Sequence, residues 1–135
     1  MLNRKSASTV IGVGVAVFVL GLILYSEYYQ IEQVTSETLL ETNHTILNQT
    51  LSYPENTPNI VTKIITIPKG AETGFHSHDE ILIGYVLQGD ITVDYGKLGK
   101  KVYSKGDSLI EAIHILHNGM NLGNIDAKIF VVTLN

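Results

Sequence analysis

From Ile60 onward the chain is cut into short β-branched segments at intervals of roughly ten residues, each closed by a glycine, aspartate or lysine-rich turn. Few folds accommodate such punctuation. Ile60-Val61-Thr62-Lys63-Ile64-Ile65-Thr66-Ile67 stops at Pro68-Lys69-Gly70, and Ile81 to Leu87 stops at Gln88-Gly89-Asp90. Ile91-Thr92-Val93-Asp94-Tyr95 alternates, a turn follows over Gly96 to Lys101, and Val102-Tyr103 makes a short strand. Lys105-Gly106-Asp107 turns into Ser108-Leu109-Ile110, and Ala127 to Leu134 forms a last strand. β-Branched side chains suit a pleated, half-buried surface, and Gly70, Gly89 and Gly106 supply turn conformations closed to residues with a Cβ. The pattern predicts an all-β domain over residues 43–135, either a sandwich or a small barrel. Strand spacing does not choose between them.

The opposite end of the chain obeys a different rule. Ala7 to Tyr25 is nineteen residues without a charge, and Val10 to Leu24 is apolar or glycine throughout. As a helix it is roughly 28 Å long, close to the ~30 Å hydrocarbon thickness of a bilayer, so residues 7–25 are expected to cross a membrane once. Arg4 and Lys5 precede it while Glu27 and Glu32 follow, which puts residues 1–6 in the cytoplasm and the β domain outside. A cleaved secretory signal, with the domain then secreted, is the alternative. The exit Leu24-Tyr25-Ser26-Glu27-Tyr28-Tyr29 is a poor cleavage site, and its tyrosines suit the membrane interface. Gly12 and Ala16 have small-xxx-small spacing, which could let two such helices approach as a homodimer. Residues 26–42 are polar with scattered Ile31, Val34, Leu39 and Leu40, and are expected to form a linker of moderate helicity.

Composition narrows the chemistry. A net charge of −4 offers no footprint for a phosphate backbone, so nucleic acid is not an expected partner. With no cysteine there is no disulfide, thiolate metal site or cysteine nucleophile. Oxygen and imidazole donors remain. Of five histidines, four occur as close pairs, His76/His78 and His114/His117. Residues i and i+2 of an extended chain face the same way, so the rings of His76 and His78 can reach one point. An HxH pair is equally found as incidental surface polarity, and its spacing alone does not separate the two.

The surrounding residues add more. Gly70, five residues, His76, one residue, His78 and then Gly89 reproduce the first motif of the cupin superfamily except at one position, where Leu82 stands for a glutamate. Gly106, His117 and Asn121 match the second motif at full spacing, with Ala112 in place of its proline and His114 in place of its second glycine. PKGAETGFHSH, GYVLQGDITV, KGDSLIE and HNGMNLG also resemble small single-barrel cupins, and LSYPENTPNI is similar to their opening strand. The resemblance implies a jelly-roll β-barrel over about residues 42–135 with a divalent transition metal (Fe, Mn, Ni, Cu or Zn) held by His76, His78 and His117.

Loss of the motif carboxylate at Leu82 is the main departure. Three neutral imidazoles leave the full dipositive charge on an ion and up to three open positions at octahedral coordination. Such a centre is similar to those of thiol and diketone dioxygenases among the cupins, and equally to zinc sites that lower the pKa of a bound water. Glu80 shares the parity of Leu82 and could reach the ion by a change of register; as a solvated loop carboxylate it would not. His114 could add a nitrogen only if a bulge or turn separates it from His117, and otherwise lies on the rim or surface. Glu111 is either a base or an orienting partner of a histidine, or an exposed carboxylate at a strand end. Tyr85 and Tyr95 either line a pocket or pack in the barrel. The expected function is a membrane-anchored, metal-binding cupin that oxidises a small organic molecule, or else a module that binds or senses a small ligand without turnover.

Overall fold

The computed structural model describes residues 17–22 and 34–135. Residues 17–22 are helical with exposed side chains. The expected membrane span over 7–25 lies mostly outside the described residues, and among those described no helix is long and apolar enough to cross a membrane. Residues 37–135 form a compact unit of their own.

That unit is all-β. Its strands are β1 (Ile60–Ile67), β2 (Ile81–Gln88), β3 (Asp90–Asp94), β4 (Lys100–Ser104), β5 (Ser108–Ile110), β6 (Asn118–Met120) and β7 (Ala127–Leu134). They form two antiparallel sheets, ordered β1-β7-β2-β5 and β4-β3-β6. β7 is central in the larger sheet, with Ile129 paired to Ile65 on one side and to Val86 on the other. Its alternation is clean, Ala127, Ile129, Val131 and Thr133 being buried. Leu82, Gly84 and Val86 of β2 face the same interior. Opposite them stand Ile91 and Val93 of β3 and Tyr103 of β4, so one apolar cluster joins the two sheets. Each such aliphatic side chain taken from water contributes roughly 1.5–3 kcal/mol.

The turns follow their residues. Gly89 has φ +69°, and a Cβ there would lie 3.0 Å from the Asp126 carbonyl oxygen, so the β2–β3 turn admits only glycine against the start of β7. The turn expected over 96–101 is shorter than its composition suggested. A 3-10 turn occupies Gly96–Leu98 and β4 already begins at Lys100, where the Lys100 ammonium meets Asp94 at 3.0 Å. The resemblance of LSYPENTPNI to an opening strand does not translate into a strand here. Pro54 and Pro58 each lack an N–H for a ladder, and pairing starts at Asn59, which exchanges backbone hydrogen bonds with Asn135. Upstream, Ile46 and Leu47 pack on the core, and the Gln49 side chain both donates to the Ile113 carbonyl (2.8 Å) and accepts from its N–H (2.9 Å). That clasp holds the chain between β5 and β6 in place.

Candidate metal centre

Between β1 and β2 the chain runs extended beside β6 and the residues that lead into it. Thr73 donates its N–H to Gly119, and His76 and His117 exchange both backbone hydrogen bonds, at 2.9 and 2.8 Å. Residues paired in this way stand directly opposite each other with side chains on one face. The ring centroids of His76 and His117 are accordingly 4.6 Å apart. His78, two residues on, points to the same side, 4.9 Å from His76 and 5.1 Å from His117. One ring nitrogen from each of the three lies within 4.8 Å of the others. Ligands bound to a single ion at ~2.0–2.1 Å have separations on this scale.

The backbone also sets which nitrogen is free. Nδ1 of His76 is 2.9 Å from the Gly74 carbonyl, and Nδ1 of His117 is 2.8 Å from that of Ile115. A carbonyl only accepts, so Nδ1 carries the proton in both rings and Nε2 is left to ligate when the ring is neutral. Burial, then the positive charges that His117 and His76 would carry, push the His78 imidazole below its ordinary 6.5. Both effects favour the neutral, metal-binding form. The residues present therefore fit a divalent first-row ion.

The three rings stand at one end of a cavity of about 80 Å3. Its walls are Ile65, Ile67, Leu82, Ile91, Val93, Leu109, Ile129 and Val131, with Gly84 and Gly119 leaving the open space. A Cβ at Gly84 would come within 3.2 Å of the Leu109 side chain, and one at Gly119 within 3.2 Å of Ile91. Among the described residues, the polar side chains in the lining besides the histidines are Thr73 and Glu111.

A family model described as the cupin domain matches residues 63–133, more than half of the chain. The chain belongs to the cupin family. Among solved structures this cupin resembles a Thermotoga maritima protein described as a predicted oxalate decarboxylase, with 23% identity and a TM-score of 0.50 over 58% of this chain and 67% of that one. BH2720 of Bacillus halodurans gives 18% and 0.53 over 58% and 63% of the two chains. The cupin domain of Schizosaccharomyces pombe Cnp3 gives 18% and 0.51 over 63% and 61%. At these identities the likeness is one of fold, and this cupin spans less than two thirds of the last two chains. No curated protein sequence matches it.

The other expected site residues fall differently. Leu82, at the cupin glutamate position, is buried and lines the cavity. Glu80 does not replace it: a bend at residues 79–80 breaks the strand parity, and its Oε2 accepts the Asp79 N–H at 3.2 Å instead. His114 does sit at a sharp turn, with φ +59°, but the turn sends its exposed ring outward to Asp79, 3.1 Å away. Asn121, a matched motif position, is fully buried and structural, its amide donating to the Ile67 and Ile125 carbonyls. Tyr85 is half-buried on β2, whereas Tyr95 is buried with its ring 5.6 Å from His117.

Of the two places open to Glu111, the fold selects the interior one. The residue is not an exposed strand-end carboxylate: only 6% of it is accessible, and it faces the cavity beside His117. The available signal was parity, since Leu109 and Glu111 are two apart and share a face if the strand runs one residue beyond Ile110. It does, through the hydrogen bond from the Glu111 N–H to the Leu82 carbonyl.

Proposed function

We propose that this cupin binds one divalent first-row metal through His76, His78 and His117 and uses it to oxidise a small organic molecule. The observation that carries the reading is the convergence of three ring nitrogens within 4.8 Å at the end of an apolar cavity. A bound ion would supply Lewis acidity and, for a redox-active metal, a centre for dioxygen chemistry. The chain supplies the rest. Backbone carbonyls of Gly74 and Ile115 fix the orientation of two rings, and the aliphatic walls limit water and strengthen electrostatic interactions inside. Among the described residues no lysine or arginine lines the cavity, which argues against phosphate esters and dicarboxylates as substrates. A small, uncharged or singly coordinating molecule fits better.

The full chain, purified untagged in detergent, is expected to carry close to one transition metal per molecule, and His76→Ala to lose most of it. Metal-free preparations of both proteins after growth in metal-replete medium would refute the assignment. A non-catalytic binding module is the second reading. It is favoured by one observation: among the described residues the cavity lining offers, besides the three histidines, few groups able to move a proton, only Thr73 and Glu111. Oxygen uptake by the iron-loaded protein with thiols, diketones and phenolics separates the two, since tight binding of one compound without turnover selects the module.

The same reading places the cupin domain outside a membrane, tethered by residues 7–25. Its support is the uncharged stretch and the position of Arg4 and Lys5. Protease added to intact cells is expected to digest the domain, and protection would reverse the orientation.

A further inference from the structure

The carboxylate missing from position 82 is present one strand away. β2 and β5 pair as Ile83 with Ile110, Gly84 with Leu109 and Tyr85 with Ser108. One step further along the same register, Leu82 stands opposite Glu111, and the Glu111 N–H donates to the Leu82 carbonyl at 2.9 Å. Residues opposite each other in an antiparallel pair share a face, and both of these line the cavity that holds the three histidines.

The two oxygens of Glu111 are used unequally. Oε1 accepts the Tyr95 hydroxyl and, at 3.0 Å, the Ala112 N–H. Oε2 has no hydrogen-bond donor among the described residues and lies 3.8 Å from Nε2 of His117. That nitrogen is the one freed for ligation by the bond from Nδ1 to Ile115. Oε2 thus faces the cavity on the side of His117 with no donor to satisfy it, and a cation held at Nε2 of His117 would supply the missing positive partner.

We infer that Glu111 is the fourth ligand of the metal, its carboxylate delivered across the β2–β5 pair in place of the one that Leu82 cannot offer. The inference rests on the three-histidine reading above. It makes the donor set three imidazoles and one carboxylate, lowers the net charge of a divalent centre by one, and leaves one open position fewer at octahedral coordination.

The test is Co(II) titration of the full chain in detergent, with apparent affinity and the d–d absorption spectrum as readouts. Wild type is expected to bind one Co(II). Glu111→Gln keeps the shape of the side chain and is expected to lower affinity by more than the roughly 10–100-fold that loss of an outer contact costs, and to shift the d–d bands. Adding Leu82→Glu to Glu111→Gln is expected to recover affinity, because it puts the oxygen donor back on the paired residue. Should Glu111→Gln fail to fold, Glu111→Asp retains the charge and is expected to shift the bands by withdrawing the oxygen. Unchanged d–d bands in the folded variant overturn the inference whatever the affinity, while leaving the three-histidine site standing. Failure of wild type to bind Co(II) overturns both.

Discussion

The phenolic hydroxyl of Tyr95 donates a hydrogen bond to Oε1 of Glu111 within the buried interior, joining the end of β3 to the residue that follows β5. Tyr103 stands near this pair on β4, equally buried, but its hydroxyl finds no partner among the described residues. The two tyrosines therefore make a controlled comparison. Tyr95→Phe strips a donor from a buried carboxylate and is expected to cost roughly 1.5–3 kcal/mol. Tyr103→Phe removes a hydroxyl that satisfies no other protein group, and its cost is expected to stay below about 0.5 kcal/mol. Urea unfolding of both variants measures the difference; equal destabilisation would contradict the asymmetry.

The same burial governs behaviour at alkaline pH. Desolvation, followed by the charge of Glu111, pushes both Tyr95 and Tyr103 well above the ordinary tyrosine value of 10.0. Unfolded tyrosines ionise near that value while these two keep their protons in the fold. The folded state then binds more protons than the unfolded one, and stability falls as pH rises past 10. Two of the seven tyrosines are expected to ionise only as the domain unfolds, so that tyrosinate absorbance and loss of β-sheet circular dichroism rise together in the last phase of an alkaline titration. Complete ionisation of all seven in a folded protein would exclude this.

His78 gives the acid side. Its imidazole is held below 6.5 by burial and then by His117 and His76, against weaker opposing effects of Glu111 and Glu80. Well above pH 6.5 the residue is neutral in both states. As pH falls through 6.5 the unfolded imidazole takes up a proton that the folded one refuses, so the metal-free protein loses stability until pH passes the lower folded value. Urea midpoints of the chelator-treated protein between about pH 8 and 5 are expected to fall more steeply for wild type than for His78→Gln. Parallel curves would remove His78 from the account.

These contrasts bear on what the amino-acid order reveals. The three histidines were legible because two carry i, i+2 spacing and the third stands at motif distance from Gly106. Their convergence needed only the pairing of His76 with His117. The core strands were legible through β-branched runs and turns. β6 was not, because Asn118-Gly119-Met120 has little strand propensity and is held by β3 on one side and by Thr73 and Glu72 on the other. Glu111 was legible only as a choice between a site residue and an exposed strand end, for a related reason. A glutamate after Ser-Leu-Ile reads as the strand's wet end, and only a partner strand that continues to Leu82 draws it inside. Long-range pairing decided both residues, and no local window contains it.

Asn121 tests whether hydrogen bonding or mere volume holds the site's frame. It is fully buried, and its Nδ2 donates to the carbonyls of Ile67, at the end of β1, and Ile125, just before β7, both at 2.8 Å, while Oδ1 accepts the Gly123 N–H at 3.0 Å. Asn121→Ala orphans the buried Ile67 carbonyl and takes the partner from the part-buried Ile125 carbonyl and Gly123 N–H, and is expected to cost about 2 kcal/mol or more. Asn121→Asp is nearly the same size, yet it replaces the double donor with an oxygen facing two carbonyl oxygens. If the amide's donors matter, Asp is expected to destabilise at least as much as Ala near neutral pH, by urea unfolding of the metal-free protein. If packing volume were what mattered, Asp would behave like wild type, and the link from β1 through Asn121 to β7 would lose its physical basis.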